Sequence, residues 1–229
     1  MNNDRRREPV VTIDGPAGAG KSRAARELAR QLGFRLIDTG AMYRALAWAV
    51  HEAGLPAAEG PALSSLLERT TVELTSGERV LVNGRDVTGE IRTPEIGELT
   101  SALAAFKAVR DKLTPLQRAL AAAGGVVLEG RDTGSVVCPD AEVKFYLDAD
   151  PDARARRRQL ELSERGVRLD IETVREEVAR RDRQDMGRSL APTVKPAGAV
   201  VVDSTDLRPD EVVERLREAV ERARCCTTS

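Results

Sequence analysis

Gly15, Pro16, Ala17, Gly18, Ala19, Gly20, Lys21 and Ser22 fill the pattern GxxxxGK[ST] without a mismatch, and residues of those types at that spacing can cradle phosphate. Glycine reaches backbone conformations closed to other residues, so successive N–H groups of such a loop can converge on phosphate oxygens at the positive end of the following helix. In that chemistry Lys21 reaches the β and γ phosphates of a nucleoside triphosphate, and Ser22 offers its hydroxyl to Mg²⁺. The motif needs a strand before it and a helix after it. Val10 to Ile13 read as a short buried strand, and Arg23 to Leu32 repeat apolar positions at helical spacing. A glycine-rich turn bearing a surface lysine is the plain alternative, which the filled pattern in this context disfavours.

The elements that must hold this loop follow from the same periodicities. Strand-like runs recur at Val10 to Ile13, Phe34 to Ile37, Val126 to Leu128, Val143 to Leu147 and Ala199 to Val202, with helical patterns between them. Such alternation predicts an α/β, P-loop NTPase-like fold: a parallel five-stranded sheet flanked by helices. Right-handed crossovers bring all the strand C-terminal ends to one edge, where open α/β sheets bind ligands. Polar residues crowd those ends: the P-loop, Asp38 to Gly40, Glu129 to Asp132, Asp148 and Asp150, and Asp203 to Asp206.

One stretch breaks the alternation. Thr71 to Leu74 and Arg79 to Val82 are short strands about a turn containing Ser76 and Gly77, and Asn83 to Arg85 turn the chain again before Asp86 to Thr88. This antiparallel meander lies between helical stretches at Ala41 to Ala53 and Pro94 to Leu120. Residues 39–120 are therefore expected to form an inserted subdomain, with 9–38 and 121–225 as the core.

Arginine placement adds to this. Only Lys21, Lys107, Lys112, Lys144 and Lys195 are lysines among 36 basic residues. Arg44 and Arg131 follow strand ends, and Arg181 and Arg188 flank Asp185 near the end of a long helix starting about Ile171. Phosphoryl transfer between two nucleotides gathers several negative charges in one dry cleft, and guanidinium groups neutralise them without losing a proton. Arg154, Arg156, Arg157 and Arg158, with Glu161 and Glu164 one turn on, read by contrast as a solvated helix face.

Composition bounds the remaining classes. With 41% hydrophobic and 32% charged residues the chain suits a soluble globule, and its formal charge of −1 provides no whole-chain attraction for nucleic acid or anionic lipid. Aromatic residues are 3% of the chain, too few for base stacking along a nucleic acid. Cys138, Cys225 and Cys226 have neither metal-ligand spacing nor an even disulfide framework, which fits a reducing compartment. The start MNNDRRREP leads into no apolar run long enough for a signal or a span, so a cytoplasmic protein without a membrane partner is expected, its arginine cluster a solvated lead-in. His51, the one histidine, reads as a surface or packing residue.

The order VTIDGPAGAGKS, LIDTGAMYRALA, NGRDVTGEIRTPE, LEGRDTGSVVCPDAEVKFYLDA, RARRRQLEL and RRDRQDMGRSLAP resembles the bacterial cytidylate kinases, a family of P-loop nucleoside monophosphate kinases, across nearly the whole chain. The resemblance implies transfer of the γ-phosphoryl group of ATP to CMP or dCMP, giving ADP and CDP or dCDP, by direct Mg²⁺-assisted in-line transfer. It places Gly15 to Ser22 and Arg23 at the donor, and Ser22 and Glu129 at the metal. Thr39, Tyr43 and Arg44 fall in its DTGAMYR motif at the acceptor. It assigns Arg44, Arg131 and Arg188 to the acceptor phosphate, Arg181 and Asp185 to the sugar, and Ser101, Arg110 and Asp132 to the base. A lid over residues 154–166 would carry Arg157 and Arg158 over the transferring group, joining Lys21, Arg131 and Arg188 as the catalytic set. Asp203 to Asp206 fall where the donor base lies. A monomer working on small nucleotides, without nucleic acid, is expected. Arg23 stands where relatives often carry a second hydroxyl, Glu129 where many have Asp, and Cys138, in place of an aromatic, is read as packing. Another small-acceptor kinase, for UMP, AMP or shikimate, would share the P-loop, as would a non-catalytic nucleotide switch.

Overall fold

Short β-branched runs separated by amphipathic stretches form the sheet, and two of its inner strands, Val10–Asp14 and Val126–Glu129, are buried along their whole length under helices. A computed structural model describes residues 7–75, 78–164 and 166–226. The turn read at Ser76 and Gly77, most of the N-terminal arginine cluster, and one position of the expected lid lie outside the described residues. In chain order the elements are β1 (Val10–Asp14), α1 (Lys21–Leu32), β2 (Arg35–Asp38), α2 (Thr39–Glu52), α3 (Pro61–Arg69), β3 (Val72–Leu74), β4 (Val80–Val82) and β5 (Arg85–Asp86). Then follow α4 (Pro94–Leu103), α5 (Lys107–Ala121), β6 (Val126–Glu129), β7 (Val143–Asp148), α6 (Pro151–Glu164), α7 (Ile171–Met186), β8 (Val200–Asp203) and α8 (Pro209–Cys226).

Five strands form a parallel sheet in the order β2-β6-β1-β7-β8. Register aligns their C-terminal ends: Ile13 and Asp38 both face Glu129, Asp14 faces Tyr146, and Asp148 faces Asp203. Every strand of the sheet thus ends in an acidic residue along one edge. Beneath that edge Ile13, Leu28, Phe145, Leu147 and Leu216 are fully buried, each worth roughly 1.5–3 kcal/mol of transfer free energy.

A second apolar core, separate from the first, is made by α2 to α5 and the small sheet, with Leu46, Ile91, Leu103 and Leu113 at its centre. The antiparallel sheet runs β3-β4-β5, and Asn83 and Gly84, at φ 50° and 80°, supply the left-handed turn between β4 and β5. Two helical expectations change here. The helix α3 had no counterpart in the sequence reading, and the stretch Pro94 to Leu120 is two helices, not one. The break has a physical cause: Phe106 turns to extended backbone (φ −84°, ψ 132°) and packs on this core, while Arg110 donates to the freed carbonyl of Ala104 at 3.0 Å. Thr93 caps α4 by accepting the Ile96 N–H at 3.3 Å.

Candidate active site

The P-loop links β1 to α1 through three glycines with positive φ: Gly15 at 147°, Gly18 at 75° and Gly20 at 89°. Gly15 also has no room for a side chain, since a Cβ there would lie 2.0 Å from the Leu147 carbonyl oxygen. The loop passes so close to the end of β7 that only glycine fits. Lys21 is buried at the start of α1 and donates to the Pro16 carbonyl at 2.6 Å, curling over the loop. Burial, and next the Arg131 charge, drive its ammonium well below the usual lysine range. An ammonium held this way is short of negative charge, which phosphate supplies.

Ser22 donates to both oxygens of Glu129, at 2.8 and 3.0 Å. Burial first, then the nearby Asp38 charge, push the Glu129 carboxyl up to about 7. A hydroxyl and a carboxylate at the mouth of the loop are hard oxygen donors, and Mg²⁺ is commonly held by one or two such groups plus phosphates and water. Among the described residues no three His, Cys, Asp or Glu side chains cluster so as to hold a metal ion by themselves. Arg23, placed with the donor by the resemblance, has an exposed side chain one residue along α1.

Facing the loop is a network of arginines and carboxylates contributed by both cores. Asp185 on α7 is its hub: Arg131 donates to it at 3.0 Å, Arg188 is ion-paired with it, and the Ser101 hydroxyl on α4 reaches it at 3.3 Å. Burial alone would raise the Asp185 pKa, but Arg131, Arg188 and Arg181 together outweigh it and hold the carboxyl below its ordinary value. Arg181 is half-buried, its Nε buried and unpartnered, and desolvation followed by repulsion from Arg131 brings it down to about 10. The Nε atoms of Arg44 and Arg188 are buried and unpartnered as well, while Arg44 pairs with Asp38 at 3.3 Å. Unused guanidinium donors facing one cleft suit a phosphate, which accepts several at once.

At the inner end of the cleft Arg110 and Asp132 form a buried ion pair. The Arg110 guanidinium lies 5.9 Å from the Tyr43 ring centroid. Burial pushes the Tyr43 phenol up to about 12, so it stays neutral. Thr39 donates to the Glu129 carbonyl at 2.6 Å, tying the start of α2 to the end of β6.

The structure thus gathers Lys21, Ser22, Glu129, Thr39, Tyr43, Arg44, Ser101, Arg110, Arg131, Asp132, Arg181, Asp185 and Arg188 around one cleft. Two arginine expectations need correction. Arg154 is not on a solvated face: it is buried, and ion-paired with Asp182. Nor does Arg157 stand free on a solvated face; it donates to the Ser204 hydroxyl at 2.9 Å and to the Thr205 carbonyl at 3.2 Å, in the loop after β8. Helical spacing explains the split, because neighbouring helix residues point about 100° apart. Arg158 does reach the cleft rim, near Arg181 and Ser101, where it meets Glu161 at 3.1 Å and Glu177 at 3.7 Å. His51 is exposed and 3.7 Å from Glu95, and Cys138 packs partly buried against Val137 and its neighbours.

Asp14 was missed. Fully buried at the end of β1, it accepts the Thr133 N–H and hydroxyl, both at 2.8 Å, and the Gly134 N–H at 2.7 Å. It thereby fixes the wide π-helical turn Thr133–Val137 that follows Arg131 and Asp132. Its signal was its place directly before the P-loop, as the one charged residue of the buried strand β1.

Fold and site together define a P-loop phosphotransferase with an anionic acceptor cleft. The family model for cytidylate kinase matches residues 11–222, and the chain belongs to the cytidylate kinase family. Curated relatives agree: a cytidylate kinase of Symbiobacterium thermophilum is 46% identical over 93% of this chain and 96% of its own length, and one of Geobacter sulfurreducens is 49% identical over 94% of each. Among solved structures, a shikimate kinase from Bacteroides thetaiotaomicron shares the fold at a TM-score of 0.51 and 14% identity, covering 93% of this chain and 98% of its own. No helix among the described residues is long and apolar enough to cross a membrane.

Proposed function

We propose that this chain phosphorylates CMP or dCMP at the expense of ATP, yielding CDP or dCDP and ADP. The observation that carries the acceptor is the buried Arg110–Asp132 pair beside Tyr43, adjoining the cleft of arginines. Cytosine offers an N4 amine as donor and N3 and O2 as acceptors, so a carboxylate on N4 and a guanidinium on N3 and O2 complement it. Uracil would set O4 against the carboxylate, two acceptors with no proton between them. Arg44, Arg131 and Arg188 take the acceptor phosphate, and Arg181 and Asp185 take the sugar.

No general base is required, because the attacking phosphate oxygen of CMP is already ionised. Lys21 and the arginines orient both phosphates and neutralise charge as it spreads in the transition state. Ser22 and Glu129 would hold Mg²⁺, which would supply positive charge to neutralise the donor phosphates. Arg158, at the rim, is the lid arginine best placed to approach the transferring group. We assign residues 9–38 and 121–225 to the core, 39–120 to an acceptor-binding insert, and the moving lid to 154–166. The enzyme works in the cytoplasm as a monomer and does not use nucleic acid. An ATP-dependent assay across CMP, dCMP, UMP, AMP and GMP tests this reading: the two cytidylates should lead, and a lead for UMP or AMP would reassign the base pocket.

A further inference from the structure

Ala17, the third residue of the P-loop, is gripped from both sides by α6 and α7, at the root of the lid. Its N–H donates to Asp182 Oδ1 on α7 at 3.1 Å. Its carbonyl accepts from Arg154 Nη1 on α6 at 3.0 Å. Arg154 and Asp182 are themselves ion-paired, and Arg154 Nε donates to the Ala149 carbonyl at 3.0 Å, so the pair is tied back to the end of β7. Both side chains are buried, Arg154 7% and Asp182 8% exposed. The Ala17 methyl packs with Leu162 on α6 and Val174 and Val178 on α7 in a small apolar cluster of its own. Next door, Gly18 lies against the α6 backbone: a Cβ there would stand 2.8 Å from the Arg154 carbonyl oxygen.

We infer that Arg154 and Asp182 are positioning residues for the donor phosphates, fixing both peptide groups of Ala17 so that the following loop N–H groups face the nucleotide. The geometry supports a role through the loop alone. The Ala17 N–H is spent on Asp182, and the guanidinium of Arg154 is engaged with two carbonyls and a carboxylate, so neither side chain is free to contact substrate. Their effect reaches the reaction as the direction of the phosphate-facing N–H groups beyond Gly18. A peptide plane fixed at one end of a short loop sets the directions of its neighbours, since each residue has only two soft dihedrals. Ser204 closes the far side of the same loop, donating to the Ala19 carbonyl at 3.2 Å, which leaves the clamp to define the near side.

The inference rests on the phosphotransferase reading for its reaction, but its test does not depend on which acceptor proves right. Binding of Mg²⁺·ADP is measured by calorimetry without acceptor, and KM for ATP and for CMP are measured separately. Asp182→Ala should weaken ADP and raise KM for ATP by about tenfold or more, the scale of a small misplacement, with KM for CMP within about twofold of the wild type. Asp182→Asn, which keeps an oxygen to accept the Ala17 N–H, should recover most of the ADP affinity. Unchanged ADP affinity in folded Asp182→Ala, or equal losses toward both substrates, would overturn the proposal and leave the pair a structural tie. If Asp182→Ala fails to fold, Arg154→Lys decides: its single ammonium can pair with Asp182 but cannot also span the Ala17 and Ala149 carbonyls. Selective loss of ADP affinity supports the role, and unchanged affinity contradicts it.

Discussion

The donor cradle and the acceptor cleft share the same sheet edge but are built from different materials. The cradle is eight contiguous residues whose backbone would do the binding, with Gly15 jammed against Leu147 and Ala17 held by Arg154 and Asp182. The cleft is built from side chains on α2, α4, α5, α7 and the turn after β6, and without substrate its charges pair with each other, as Arg131 and Arg188 do on Asp185. Burial dominates at Asp14 and Glu129, and at Asp132 within the cleft, and raises all three, whereas at Asp185 three guanidiniums overcome burial and lower it. A backbone site must be rigid before its ligand arrives. A side-chain site can hold itself together with ion pairs that the ligand later replaces.

Breaking the cradle at Lys21, the side chain proposed to act on the transferring phosphate, should have the largest effect. Lys21→Ala should lower kcat on the order of 10²-fold or more, as expected for one preorganised charge acting on the transition state, with the fold retained by circular dichroism. A folded variant with near-normal kcat would contradict the assignment.

Breaking the cleft at its base end should change selectivity more than rate. A charge-assisted hydrogen bond is worth roughly 1.5–3 kcal/mol, and about 1.4 kcal/mol is a decade. Asp132→Asn should therefore lower the CMP to UMP ratio of kcat/KM by about tenfold or more. Because Asp132 is paired with Arg110 rather than with Arg131, its rival role is to hold Arg110; in that case both substrates lose equally and the ratio stays put.

The smallest effect sharpens the electrostatic contrast. Asp185 has a folded pKa below its ordinary value of 3.8, so it binds protons less readily folded than unfolded. Its contribution is present above about pH 4 and is lost as pH falls through the depressed folded value. Urea midpoints measured downward from pH 5 should fall more steeply for the wild type than for Asp185→Asn. Parallel curves would mean that the three arginines do not depress Asp185.

The same division decides what could be read from sequence. The P-loop was legible because a backbone site requires glycines at fixed spacing, and the parallel sheet was legible because its strands are continuous apolar runs. The break between α4 and α5 was not, since Ala104 to Phe106 carry no stop signal and the turn depends on Phe106 packing and on Arg110 reaching back. The cleft residues were named through family motifs, but their pairing was invisible: Asp185 with Arg131, and Asp132 with Arg110, join residues on separate elements. Arg154 and Arg157 misled for a related reason. An arginine-rich helix with acidic residues one turn on looks solvated until the tertiary contacts assign each side its partner. Asp14 carried a positional signal, but its three hydrogen bonds come from residues more than a hundred positions away.

The central claim is that the cradle is preformed whereas the cleft closes around its ligand. Amide hydrogen exchange followed peptide by peptide, with Mg²⁺·ADP, with CMP, and with a bisubstrate mimic, tests it most directly. ADP should slow exchange chiefly in the loop 15–22 and the adjoining roots of α6 and α7, CMP should slow residues 39–120, and the mimic should slow both together with 154–166. Protection by the mimic confined to 15–22 would contradict the account.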